Sequence, residues 1–202
     1  MYLAIAGNIG SGKSALTALL AEAFGLKPVY EAVSENPYLE DFYRDMAAYA
    51  FHSQVFFLAR RVRQHLLQVN GNPRVVQDRT VYEDAFVFAK NLYREGFLSR
   101  RDWETYMDLF QSVSPALRKP DLLIYLRASL PTLRARIRKR GRPFEQNLPD
   151  RYLLSLNALY EEFVASWDLC PVEVVEADRL DFVEREEDRL ALLEALKRRI
   201  RP

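Results

Sequence analysis

The sequence predicts a single α/β domain in which a five-stranded parallel sheet is wrapped by helices. Three observations carry that prediction. Five short apolar runs alternate with longer stretches of helical periodicity, the pattern that a parallel sheet with crossover helices produces. The chain has 202 residues and shows no repeat and no low-complexity linker, so one domain spanning 1–202 suffices. Apolar residues make up 49% of it, enough for a sizeable core without cross-links.

In chain order, Tyr2–Ala6 reads as a buried strand that ends abruptly in Gly7, and Ala15–Phe24 reads as a helix. Pro28–Glu31 is the second predicted strand. The longest helix begins near Ala47, where Phe51, Val55, Leu58, Val62 and Leu66 recur at helical spacing and predict its core face. Asn70-Gly71-Asn72-Pro73 stops it, and Arg74–Asp78 is the third strand. Ser99 with Asp102 three residues on resembles a capping box, opening a helix that runs to about Leu117. Asp121–Arg127 is the fourth strand. A basic helix from near Leu130 is broken by Gly141-Arg142-Pro143. Val172–Glu176 is the fifth strand, and an amphipathic helix from about Val183 closes the chain.

Composition excludes several classes. Charged residues are 28% of the chain with a net charge of +1, which argues against a disordered chain and against a general nucleic-acid or membrane binder. No apolar run approaches the ~18 residues of a membrane span, and the first apolar run is too short for a secretion signal. Cys170 is the only cysteine, so there is no disulfide framework and no zinc cluster. The expectation is a soluble, cytoplasmic protein.

Gly7-Asn8-Ile9-Gly10-Ser11-Gly12-Lys13-Ser14 matches the phosphate-binding P-loop in full, between a strand and a helix as the motif requires. Glycines let backbone amides approach phosphate oxygens, and the helix N-terminus adds to the anion nest. Lys13 is expected on the β- and γ-phosphates of ATP or another nucleoside triphosphate, and Ser14 on a magnesium ion. The loop alone does not choose between kinase, ATPase and GTPase. The chain has no Asn-Lys-x-Asp guanine motif and no apolar strand ending in an acidic pair, which favours a small kinase.

Ligands of open parallel sheets sit outside the carboxyl ends of the strands. The second and third predicted strands deliver Glu31, Asp78 and Arg79 there. Glu31 is a candidate base for an attacking hydroxyl, and Arg79 a candidate to hold Glu31 and the moving phosphoryl group. Asp78 is a candidate to help position magnesium. On the long helix, Gln54 and Arg61 lie seven residues apart and point the same way. Gln offers a donor and an acceptor side by side, as an adenine-like edge requires, and Asp84 is a candidate partner for Arg61. Spacing alone leaves this open against a solvated helix face with one surface salt bridge. Arg134, Arg136, Arg138, Lys139, Arg140 and Arg142 form a basic cluster that suits a lid closing on a triphosphate. A solvated face and a nucleic-acid patch are the alternatives.

Together these residues resemble the deoxynucleoside kinase family, over nearly the whole chain from Tyr2 to about Ile200. The anchors are the P-loop, Glu31, Phe51-x-x-Gln54, Asp78-Arg79-Thr80-Val81-Tyr82-Glu83-Asp84, Phe88-Ala89-x-Asn91-Leu92-Tyr93 and Arg136-x-x-x-Arg140-Gly141-Arg142. The resemblance implies a P-loop kinase that phosphorylates the 5′-hydroxyl of a deoxynucleoside in nucleotide salvage. Its alternatives are a nucleoside monophosphate kinase and a non-catalytic nucleotide- or nucleic-acid-binding module. By resemblance, Glu31 is the base and Arg79 its arginine neighbour, while Gln54, Arg61 and Asp84 read the nucleobase and Phe88 stacks on it. Tyr43 and Glu145 hold the sugar 3′-hydroxyl. Arg136, Arg140 and Arg142 are the arginines of a lid at about 136–148, and Asp181 and Phe182 lie by the donor base. A homodimer through packed helices is also implied. Two positions depart from many relatives. Asp78 stands in place of Glu, so magnesium is expected to be reached through water. Phe57 is bulky and tightens the base pocket. The Arg61–Asp84 pair points to deoxyadenosine, deoxyguanosine or deoxycytidine.

The remaining candidates have bland expectations. His52 and His65 have no partner at metal-ligand spacing. Trp103, Tyr106, Phe110 and Trp167 are expected in core or interface, Cys170 as a small buried filler, and the Glu184–Asp188 run on a solvated helix start.

Overall fold

A computed structural model describes residues 1–30 and 36–200. Five strands, β1 (Tyr2–Gly7), β2 (Lys27–Val29), β3 (Val75–Asp78), β4 (Leu122–Arg127) and β5 (Val172–Glu176), form one sheet in the order β2-β3-β1-β4-β5. Every pair is parallel. The strands lie where the apolar runs predicted them. Glu31, at the end of the predicted second strand, lies outside the described residues.

Side chains of a strand alternate between faces, and β1 divides the core accordingly. Tyr2, Ala4 and Ala6 enter one apolar cluster, whereas Leu3 and Ile5 enter the other. In β4, Leu123 and Tyr125 join the first cluster and Leu122, Ile124 and Leu126 the second. The second cluster is covered by α1 (Lys13–Phe24), through Leu16 and Leu20, and by α10 (Glu186–Arg199), through Leu192 and Leu196. The first is larger. It takes in residues from α2 (Leu39–Arg44), α3 (Met46–Gln64), α4 (Val81–Glu83) with the π-helical segment Asp84–Ala89, α5 (Lys90–Arg94), α6 (Arg100–Val113), α7 (Leu130–Arg140) and α9 (Asp150–Ala165). A short α8 (Pro143–Gln146) follows the break at Gly141. Among the described residues, no helix is long and apolar enough to cross a membrane.

On α3 the predicted stripe packs on the core: Leu58 is buried in the first cluster, Phe51, Val55 and Val62 are half-buried against it, and Leu66 departs at 43% exposed. Beside it runs a more deeply buried stripe of Ala50, Gln54, Leu58 and Arg61, continued by His65 in the π-helical turn His65–Asn70. Apolar periodicity does not see it because three of its five members are polar, and each lies against polar groups or a cavity rather than a greasy core. The Asp45 carboxylate caps α3 by accepting from Ala48 N at 3.1 Å.

Other ends follow local chemistry. Ser99 Oγ accepts from Asp102 N at 3.1 Å, as its spacing predicted. Pro115 turns the end of α6 into the 3₁₀ segment Ser114–Ala116, just short of the predicted Leu117. The last helix starts at Glu186 rather than Val183, because Asp181 N donates to Asp188 Oδ2 at 2.8 Å and folds the intervening residues into a turn. Tyr106 and Phe110 are buried; Trp103, Trp167 and Cys170 are only half-buried, and His52 is exposed.

Candidate active site

The P-loop runs from the end of β1 into α1, at the carboxyl edge of the sheet. Two of its glycines are required by space and backbone. A Cβ on Gly7 (φ 151°) would lie 2.9 Å from Leu126 O, and one on Gly10 (φ 84°) would lie 2.8 Å from Ile137 Cγ1 and 3.0 Å from Leu133 O. The loop therefore packs directly on β4 and α7. Asn8 fastens it to α9: its amide donates to Leu153 O at 2.9 Å and to Asn157 Oδ1 at 2.7 Å, and its own oxygen accepts from Ile9 N at 2.7 Å. Lys13 is buried, with Nζ donating to Asn8 O at 3.0 Å. The Ser14 hydroxyl donates to Asp78 Oδ2 at 2.5 Å, and Asp78 Oδ1 is buried with no hydrogen-bond partner among the described residues.

Arg79 follows β3 with φ 66°, the one positive φ outside glycine among the described residues. Such a conformation costs about 1–3 kcal/mol and persists only where surroundings over-determine it. Here Arg79 N donates to Ile5 O at 3.0 Å, and the guanidinium lies 4.2 Å from the Phe88 ring centroid.

These groups face a small cavity of about 70 Å³. Tyr43, Gln54, Phe57, Asp84, Phe88 and Glu145 line it together with Lys13, Ser14, Asp78 and Arg79. Gln54 is 4% exposed, and its Oε1 has no partner among the described residues. Arg61 does not line the cavity but lies behind it. Its Nε and Nη2 donate to Asp84 Oδ2 and Oδ1 at 2.9 and 3.3 Å, with both side chains under 5% exposed. The solvated-face reading of this helix is thereby excluded. Glu145 is buried and paired with both Arg140 and Arg142, the latter at 3.4 Å. Tyr43 is half-buried and stacks on Phe144, with 11° between the rings.

A second cleft, of about 420 Å³, lies on the other side of the P-loop between Gly12, Arg136, Lys139, Asp181 and Phe182. Arg140 and Arg142 line both cavities, so the lid segment stands over the boundary between them. Arg136 differs from its two neighbours. It is committed to backbone carbonyls, donating to Ser11 O at 2.6 Å, Ala177 O at 2.9 Å and Leu180 O at 3.1 Å. It ties α7 to the P-loop and to the Asp181–Phe182 turn.

The structure thus gathers the described site residues around the P-loop, with Arg61 behind Asp84 rather than on the cavity wall and Arg136 bound to backbone carbonyls rather than poised as a lid arginine; Glu31 lies outside the described residues. Sequence reasoning assigned no role to Glu83, Asn8's partner Asn157, or Tyr152, which also lines the smaller cavity. Asn157 and Tyr152 share a helix that the motifs do not touch. Glu83 lies inside the Asp78–Asp84 motif, where an acid at the third helical position caps α4.

Comparison with known proteins agrees with this geometry. The sequence model of one family, Deoxynucleoside kinase, matches residues 3–201. The chain is 37% identical over 186 residues to the deoxyadenosine/deoxycytidine kinase of Bacillus subtilis, covering 91% of this chain and 86% of that protein. It is 36% identical over 206 residues to the deoxyguanosine kinase of Lactobacillus acidophilus, covering 96% and 88%. The structure of deoxyadenosine kinase from M. mycoides with the products dCMP and a flexible dCDP bound matches with a TM-score of 0.86, at 35% identity, covering 98% of this chain and 99% of that one.

Proposed function

The chain belongs to the deoxynucleoside kinase family, and on that premise we propose that it moves the γ-phosphoryl group of ATP to the 5′-hydroxyl of deoxyadenosine, deoxyguanosine or deoxycytidine. It is a phosphotransferase acting on deoxynucleosides in salvage, with a nucleotide as donor. One observation carries the assignment of sides: a P-loop lies between two cavities, with Lys13 and Ser14 lining both.

In this reading the larger cleft takes the donor, with its base beside Asp181 and Phe182 and its phosphates on residues 7–14. The smaller cavity takes the acceptor. Gln54 and the Asp84 carboxylate read the base edge, with Asp84 held in place by Arg61. Phe88 stacks on the base, Phe57 bounds it, and Tyr43 and Glu145 hold the 3′-hydroxyl. Buried Gln54 Oε1 supports this, since a buried amide oxygen without a partner costs roughly 1–3 kcal/mol that a bound base would recover.

Asp78 and Ser14 fit a magnesium ion: a hydroxyl and a carboxylate in contact, with a second carboxylate oxygen to spare. When bound, the ion would draw charge from the β- and γ-phosphates. Glu31 is assigned as the base. The described chain supports this as far as it reaches, because β2 ends at Val29 alongside β3, whose last residue is Asp78. Glu31 takes the 5′-hydroxyl proton as that oxygen attacks the γ-phosphorus in line, and the bond to the β–γ bridging oxygen breaks. Lys13, Arg79, Arg140 and Arg142 stabilise the charge on the transferring group, while Arg136 holds the loop beneath it.

A monophosphate kinase would need cations aimed at an acceptor phosphate. In the smaller cavity Gln54, Tyr43 and the Glu145 carboxylate suit a neutral base and sugar, and Glu145 would repel an acceptor phosphate. The reading includes a homodimer through packed helices, supported by the exposed Leu66, Leu67 and Leu109. It includes a cytoplasmic location, supported by the lone thiol of Cys170.

Replacing Glu31 by Gln tests the mechanism. Turnover should fall by about 10²-fold or more, with ADP affinity by calorimetry unchanged. Turnover within a factor of two of the parent would remove Glu31 from the base role.

A further inference from the structure

Glu83 is fully buried and lines neither cavity. Yet its carboxylate is saturated by donors from three separate parts of the site. Oε1 accepts from Gly7 N at 3.3 Å, where the P-loop begins, and from the Tyr160 hydroxyl of α9 at 2.9 Å. Oε2 accepts from Thr80 N at 2.8 Å and Thr80 Oγ at 3.3 Å, directly after the strained Arg79. Four donors on two oxygens match the acceptor capacity of an ionised carboxylate. Burial raises its pKa above the usual carboxylate value, and the positive charges of Arg79 and Lys13, the Thr80 amide and the Tyr160 hydroxyl offset only part of that rise. Lys13 and Arg79 are, in this reading, two of the cations on the transferring phosphoryl group, they come from different loops, and the Glu83 carboxyl feels both.

We propose that Glu83 is a positioning residue for phosphoryl transfer. It braces the P-loop against the Asp78–Arg79 turn, so that Lys13 and Arg79 keep one fixed separation across the two cavities. A cap for the three-residue α4 would need only the Thr80 contacts. The contacts to Gly7 and Tyr160 reach across 76 and 77 residues of chain to the donor side and to the helix that also holds Asn8. Misplacement of reacting groups by about 1 Å costs on the order of 10²-fold in rate, so a brace of this kind should be felt in turnover before binding. The inference rests on the kinase reading of the site, and turnover by the unsubstituted protein tests that reading separately.

The test is Glu83→Gln. Glutamine keeps the shape and can still accept from Thr80 N. Its NH₂ can meet the Tyr160 hydroxyl, which can rotate to accept, but must oppose the N–H of Gly7. The expected result is a kcat lower by about 100-fold, a nucleoside KM within about threefold, and an ADP affinity equal to or tighter than that of the parent. Tighter binding would follow because Lys13 and Arg79 have lost their counter-charge. A purely structural role would instead lower ADP affinity and kcat together. That result, or a kcat within about threefold of the parent, overturns the proposal. Should Glu83→Gln fail to fold, Tyr160→Phe decides, since it removes one donor and keeps the charge. Reduced kcat with unchanged ADP affinity then supports the brace, and parental kcat overturns it.

Discussion

Ser14 Oγ and Asp78 Oδ2 meet at 2.5 Å, joining the last residue of the P-loop to the last residue of β3 across 64 positions of chain. Parallel pairing of β1 with β3 makes the contact possible, because Ile5 stands opposite Asp78, so β3 ends within two residues of the point where β1 gives way to the P-loop. The short Asp side chain reaches the serine hydroxyl directly.

Asp78→Asn should keep this hydrogen-bonded geometry and lose the charge. Turnover should fall by about 10²–10³-fold, and the magnesium concentration giving half-maximal rate should rise. Nucleotide binding without magnesium should not change. Initial rates across a magnesium titration measure this, and an unshifted titration curve would exclude Asp78 from the metal site.

Arg61 and Asp84 form a forked ion pair with both side chains almost fully buried. Removing one partner of such a pair strands a buried charge and costs about 3–5 kcal/mol. Asp84→Ala should therefore lower stability in urea unfolding by that order. Combining it with Arg61→Met should recover most of the stability but not the acceptor KM. Equal destabilisation by single and double replacements would show that the two residues do not act as a pair.

His65 is a pH-dependent element of stability. It is fully buried, with Nε2 at 3.1 Å from Arg118 O and the Tyr2 ring edge-on at 5.6 Å. Burial lowers its pKa from 6.5 to about 4. The unfolded chain thus takes up a proton below pH 6.5 that the folded chain refuses until about pH 4. Stability is retained above pH 6.5 and lost as pH falls through that window, by at most about 3 kcal/mol. His65→Gln should flatten the slope of unfolding free energy between pH 6.5 and 4. An unchanged slope would place the dependence on other groups.

The sheet and the phosphate loop were legible in the sequence because each has a strong local signature. β1 and β4 are apolar on both faces, as buried parallel strands must be, and the loop carries its glycines at fixed spacing. The acceptor cavity was legible only in part. Gln54 and Arg61 were found by their shared face and Asp84 by its charge, but spacing could not tell burial from exposure. Burial arises because the π-helical segment Asp84–Ala89 carries a carboxylate to meet the arginine. On α3 the apolar stripe marked the side that packs on the core, but apolar periodicity reports only what is greasy and so missed the buried polar Gln54, Arg61 and His65 beside it. Glu83 gave a local capping signal that concealed its long-range partners, since no pattern in sequence links it to Gly7 or Tyr160.

The most direct measurement is to incubate the purified protein with magnesium ATP and each of the four deoxynucleosides in turn, and to quantify the monophosphate formed. Product is expected from one or more of deoxyadenosine, deoxyguanosine and deoxycytidine, and little from thymidine. No product from any of the four, with a nucleoside monophosphate phosphorylated instead, would contradict it and take Glu31 out of the base role.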